Sequence, residues 1–172
     1  MFIVFFRKNG YNIGNGIWNK MKQNDIFLEH DTTQSNLEAP GLVDPYVTSY
    51  VCLLVPRFEE HVLSGDLAIQ LHPWMKDICI SFGWQLKFID IKPNYLHWIM
   101  TVSINTYPIK FMKTICQESS KKIFGEFPKF AVKNVSNEFW APWNFVGVGE
   151  TPYPKDSIES FIKQIRMEQG LQ

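Results

Sequence analysis

Tyr95 and His97 stand two apart in the run Tyr95-Leu96-His97-Trp98-Ile99-Met100, directly after Pro93-Asn94. Alternate residues of a strand point to one face, so a phenol and an imidazole are presented side by side. One reading is a divalent-metal site in which one ligand has been replaced. The other is a hydrogen-bonded, metal-free strand histidine. A second group with chemical potential is Lys110, Lys113, Lys121, Lys122, Lys129 and Lys133, a stretch in which the only acids are Glu118 and Glu126. Such a run is a solvated helix face or, through release of counterions, a sequence-independent contact for nucleic-acid phosphates. His30, His61 and His72 are expected at the surface.

The elements that must position these residues read as follows. Residues 46–56, YVTSYVCLLV and Pro56, are rich in β-branched and aromatic types and form a central strand. Apolar residues at helical spacing between Glu59 and Phe82 predict a helix that exits at Gly83, with Pro73 kinking it or starting a second one. WQLKFIDIK alternates as a strand and pairs with YLHWIMTVS as a hairpin. Residues 108–124 open with a helix-starting proline and bury a stripe of Ile109, Met112, Ile115, Cys116, Ile123 and Phe124. EFWAPWNFVGVG supplies an aromatic strand. PKDSIESFIKQIRMEQG is a last helix, capped by Asp156 or Ser157 and stopped at Gly170. Strand, helix, strand, strand, helix, strand, helix is an α+β, ferredoxin-like split βαβ sandwich: an antiparallel sheet with helices on one face and the other face free for a ligand.

With 172 residues and 45% hydrophobic content, one domain with a buried core is the expectation. It spans residues 45–172, preceded by an arm or extension, residues 1–44, whose composition is turn-rich and polar. Seventeen basic residues balance seventeen acidic ones, so net charge selects no partner. Cys52, Cys79 and Cys116 form no C-x-x-C pair, and the first apolar run is too short for a signal peptide or a membrane span. A cytoplasmic protein with no membrane contact is expected.

The blocks VTSYVCLLVPRFEEHVLSG, KPNYLHWIM, CQESSKKIFGEFPKF, FWAPWNFVGVG and DSIESFIKQI resemble, in this order, the HUH-type single-tyrosine transposases of bacterial insertion sequences and their REP-associated relatives. The resemblance covers roughly residues 46–169. It implies a dimer that binds DNA hairpins and single strands, and that cleaves through a tyrosine forming a phosphotyrosine link. The family's two histidines around a hydrophobe hold a Mg²⁺ or Mn²⁺ ion that polarises the scissile phosphate. Here Tyr95 takes the place of the first histidine beside His97. A phenol of pKa about 10 is a poor ligand for these ions, and one imidazole alone holds them weakly.

The last helix departs at the same time. Phe161 stands at the nucleophile position and Ile165 at that of a metal-binding glutamine, with Gln164 one place out of register. Removal of a covalent nucleophile costs on the order of a million-fold in rate. Cys116-Gln117 replace a lysine-glycine before the retained Ser119-Ser120. The expectation is therefore a transposase-family DNA-binding protein without strand cleavage and without a cofactor, Mg²⁺ or Mn²⁺ entering only if the site works. Arg57, Lys110, Lys113, Lys121 and Lys122 are the candidate DNA contacts, unless Arg57 pairs with Glu59 or Glu60. Trp140, Trp143, Phe139 and Phe145 are candidates for stacking on bases, or else core. Two alternatives stay open: a working nuclease with relocated groups, for which Tyr153, Tyr95, His97 and Gln164 are the available candidates, and a protein-interaction module docking through its open sheet face or its N-terminal arm.

Overall fold

The computed structural model describes residues 3–7, 10–11, 46–132 and 134–170. Its elements are β1 (Ile3–Arg7), β2 (Gly10–Tyr11), β3 (Val47–Pro56), α1 (Gly65–Ser81), β4 (Gln85–Lys92), β5 (Tyr95–Ser103), α2 (Pro108–Glu126), a 3₁₀ turn (Pro128–Phe130), β6 (Trp140–Val148) and α3 (Lys155–Glu168). The sheet order is β2-β1-β6-β3-β5-β4, and every pairing is antiparallel. The α+β, split βαβ architecture is thus present, its four-stranded centre extended by two N-terminal strands. Ile3–Arg7 pairs along β6 from Gly147 back to Trp143. His30 and Lys133 lie outside the described residues.

β3 is central because its residues from Val51 to Pro56 are apolar on both faces and all buried. Cys52 and Leu54 point into one core with α1 and α2, and Leu53 and Val55 into a second with α3. The last helix therefore covers the face expected to be free. The apolar side of α3, Ile158, Phe161 and Ile165, meets a sheet face that is itself apolar, and water is excluded between them.

Local chemistry sets the boundaries. α1 starts at Gly65 rather than near Glu59 and runs through Pro73 as one helix. It closes with a Schellman motif: Gly83, at φ +71°, donates to the Ile80 carbonyl (3.0 Å) and Trp84 to that of Cys79 (2.8 Å). α2 begins at Pro108, but its buried stripe is Phe111, Met112, Ile115, Ser119, Ser120 and Ile123, while Ile109 is exposed. α3 is preceded by Pro154 at the cap, with Asp156 in its first turn and no side-chain cap. Phe111 and Phe139 are fully buried, each contributing about 1.5–3 kcal/mol. Among the described residues no helix is long and apolar enough to cross a membrane.

Candidate functional site

The two-residue turn Pro93-Asn94 fixes the β4–β5 register, so Lys92 faces Tyr95 and Asp90 faces His97. Tyr95 and His97 lie on the sheet face that α3 covers. The Tyr95 hydroxyl donates to Asp90 Oδ2 at 3.3 Å, and Lys92 Nζ closes on Asp90 Oδ1 at 3.0 Å. Burial, and then the Asp90 carboxylate, push the Tyr95 phenol above its ordinary pKa. It therefore stays protonated and offers no anionic oxygen.

His97 is 2% exposed. Its Nε2 accepts the Tyr153 backbone N–H at 3.4 Å, and its ring lies against those of Phe88 (5.7 Å) and Tyr153 (6.1 Å). Burial lowers its pKa, partly opposed by Asp90, so the imidazole is neutral at neutral pH. The lone pair a metal would need already faces an amide.

Phe161 and Ile165 occupy successive turns of α3 and pack with Leu53, Val55, Tyr95 and Phe145; the Phe145 and Phe161 rings meet edge to face at 5.7 Å. Gln164, one residue earlier, is partly exposed and outside this cluster. The structure thus brings Tyr95, His97, Phe161 and Ile165 to one buried face. The donor set there, one imidazole with its Nε2 engaged and the Asp90 carboxylate already held by Tyr95 and Lys92, does not fit Mg²⁺ or Mn²⁺, which take several oxygen ligands. Among the described residues no group of three or more His, Cys, Asp or Glu side chains is arranged for a metal.

Tyr153 is the residue whose importance sequence reading understated. The loop before α3 folds back over His97, and the Tyr153 ring stands edge-on to Phe145 at 4.3 Å. Its hydroxyl is buried without a hydrogen-bond partner, directly above Gly147, where any Cβ would collide with it. Burial, with a smaller contribution from Cys52, drives its pKa far up. A phenol so buried, its hydroxyl without a hydrogen-bond partner, has nothing to take its proton, which weighs against a relocated nucleophile. The available signal was a tyrosine fixed between two prolines, with a glycine six residues before it on the neighbouring strand.

The other candidates lie elsewhere. Lys110, Lys113 and Lys121 are exposed on α2, across the sheet from His97; Lys122, partly covered, places its ammonium 5.9 Å from the Trp74 ring. Arg57 pairs with neither Glu59 nor Glu60. Its guanidinium lies 3.6 Å from the Glu138 carboxylate and bonds the Glu138 carbonyl (3.3 Å), and Glu59 instead approaches Arg166 at 3.8 Å. Trp140 and Phe139 are core and unavailable to bases. The Trp140 indole donates to Ser119 Oγ (2.7 Å) and the Phe139 amide to Ser120 Oγ (3.0 Å), which gives the paired serines a structural role. Phe145 is buried and Trp143 half-buried. His72 is exposed as expected, but His61 is 5% exposed, stacked on Phe139 at 5.1 Å and edged by Phe58 and Phe130. Phe130 and Phe139 come from distant segments, so the local sequence around Phe58 and His61 did not announce its burial. An open groove of about 600 Å³ flanks α3, lined by Glu59, Asn94, Glu159, Ile162, Lys163, Arg166 and Met167, with two acids and two bases in balance.

The family model described as "Transposase IS200 like" matches residues 45–165. The ISDra2 transposase TnpA of Deinococcus radiodurans is 21% identical over 97 residues, which is 56% of this chain and 69% of that protein. A crystal structure assigned as a transposase from Deinococcus radiodurans R1 superposes with a TM-score of 0.58 at 20% identity, covering 78% of this chain and 98% of that one. A REP-associated tyrosine transposase bound to a REP hairpin gives a TM-score of 0.46 at 11% identity, over 81% and 76% of the two chains.

Proposed function

The chain belongs to the IS200-like transposase family, and we propose that it is a DNA-binding member of that family without strand cleavage. The observation that carries this reading is the apolar closure of the site face. Phe161 and Ile165, at 4% and 2% exposure, pack against Tyr95 where a nucleophile and a metal ligand would be needed. The exposed lysines of α2 support the DNA-binding half, since phosphate contacts need charge and not a catalytic centre. On this reading the bound DNA is single-stranded or hairpin, the working unit is a homodimer, the protein is cytoplasmic and associated with the nucleoid, and no metal is required. A protein partner docking through residues 1–44 is compatible with it.

The test incubates the purified protein with labelled single-stranded and hairpin DNA, with and without Mn²⁺, and scores both retained complex and covalent adduct. Salt-sensitive retention without adduct is expected. A metal-dependent adduct, mapped for instance to Tyr153, would establish a working nuclease instead. Phe161→Tyr alone should give no adduct, because Tyr95 still leaves no metal pair; adding Tyr95→His is the minimum repair. An adduct from the single variant would refute the account of the metal position.

A further inference from the structure

The end of the molecule where β3 begins and α2 starts carries a group of large apolar side chains in solvent: Tyr107 is 74% exposed, Tyr46 73%, Ile104 59% and Ile109 43%. Backbone hydrogen bonds fix Ile104 against Tyr46, and Tyr107 against the first turn of α2. The Ile104 amide donates to the Tyr46 carbonyl (2.8 Å), and the Tyr107 carbonyl accepts from Lys110 (2.9 Å) and Phe111 (3.3 Å). The backbone under Tyr107 is thus fixed as the cap of α2 while its ring stands free of the core. Exposed apolar clusters of this kind mark contact surfaces.

Charge selects the partner. Residues 104–117 contain Lys110 and Lys113 and no acid. The first turn of α2 has no acidic residue, whereas those of α1 and α3 carry Asp66 and Asp156. Lys110 and Lys113 are exposed and make no ion pair among the described residues. An exposed aromatic ring on a fixed backbone, beside uncompensated lysines, matches the faces and phosphates of an unpaired strand; in a duplex the base faces are already stacked. Resting on the reading of this chain as a DNA-binding protein, we propose that this end is a contact for unpaired bases, Tyr107 stacking on a base and Lys110 and Lys113 meeting the flanking phosphates.

The experiment titrates a fluorescein-labelled 15-mer of thymidylate and a 15-base-pair duplex with the full chain and with Tyr107→Ala, Tyr107→Phe and the double variant Lys110→Ala, Lys113→Ala, following anisotropy at several salt concentrations. Tyr107→Ala should weaken single-strand binding about tenfold and leave duplex binding nearly unchanged, and Tyr107→Phe should retain affinity because the ring does the stacking. The double lysine variant should weaken both and lower the salt slope by about 1.4 on single strands, about 0.7 for each phosphate that is no longer neutralised. If the parent chain binds DNA and Tyr107→Ala binds the thymidylate strand equally well, this contact is refuted while the DNA-binding reading stands. If the parent chain binds neither probe, both fall. Should Tyr107→Ala instead convert a dimer to a monomer in sedimentation velocity with single-strand affinity unchanged, the patch is an interface between copies and the proposal is overturned.

Discussion

The two faces of the central sheet solve the same packing problem with different materials. On the α1/α2 face, polar groups are built into the core as ties: Ser119 and Ser120 of α2 accept from the Trp140 indole and the Phe139 amide and lock the start of β6 to the helix. On the α3 face Tyr95, Phe161 and Ile165 pack against one another, and two polar groups there are poorly served. His97 holds one long bond to an amide and the Tyr153 hydroxyl holds none; on the α1/α2 side His61 Nδ1 is likewise buried without a partner. On the proposed reading, a framework that keeps its ties while this face is filled with rings and aliphatic chains retains the fold without a cleavage site. The difference teaches that both faces carry the fold, one through hydrogen-bonded ties and the other chiefly through apolar contact.

If the α3 face is now core, truncations on the two faces should cost alike. Trp140→Ala is expected to lose about 3–5 kcal/mol, read from urea midpoints, and Phe161→Ala a comparable amount, near 3 kcal/mol. A Phe161→Ala variant of nearly parental stability would break the comparison, since it would mean that the face is still a cleft. Phe161→Tyr sharpens the same point: its hydroxyl would enter among Leu53, Val55 and Phe145, at a cost of about 1–3 kcal/mol if it finds no partner.

The next effect concerns the loop over His97. Gly147→Ala sets a methyl against the Tyr153 hydroxyl and should destabilise by about 1–3 kcal/mol. Tyr153→Phe removes a buried donor that has no acceptor, and should be neutral or stabilising by up to about 1 kcal/mol. Combined, the two should fall short of additivity by at least about 0.5 kcal/mol, because the phenylalanine removes the atom the methyl meets. Full additivity in a double-mutant cycle would mean that Tyr153 does not sit over Gly147 in solution.

How much of this was legible depended on the range of the interaction. The strands, the hairpin and the start of α2 follow from period, turn residues and Pro108, all local signals, and the pairing of Asp90 with His97 follows from a two-residue turn. The position of α3 was not legible. Alternation in β3 gives two apolar faces but not which helix covers which, and that depends on a connection closing across the whole domain. The same applies to Arg57, whose ion-pair partner Glu138 lies 81 positions away, and to His61, caged by rings from three segments. Nothing local shows that an indole and an amide will come to meet Ser119 and Ser120. The residue types at Tyr95, Phe161 and Ile165 were legible, and the structure adds that they pack against one another.

The smallest expected effect tests the two faces through their buried histidines. His61, against Phe130 and Phe139 on the α1/α2 side, and His97, on the α3 side, both have their pKa lowered from 6.5 by burial; Glu60 opposes and Arg166 reinforces the shift at His61, and Asp90 opposes it at His97. The unfolded chain therefore takes up protons first as pH falls. Stability should be complete above about pH 6.5 and decline below it, towards the lowered folded-state values, and the window from about 6.5 to 5 keeps most carboxylate titration out of view. His61→Phe and His97→Phe should each flatten part of that slope in urea melts. In a Tyr153→Ala background the His97 share should shrink, because removing the ring that lies against the imidazole admits water and lets its pKa return towards the ordinary value, with Asp90 opposite helping to hold the proton. An undiminished His97 share in that background would mean that the sheet and α3, rather than the loop, keep this face dry.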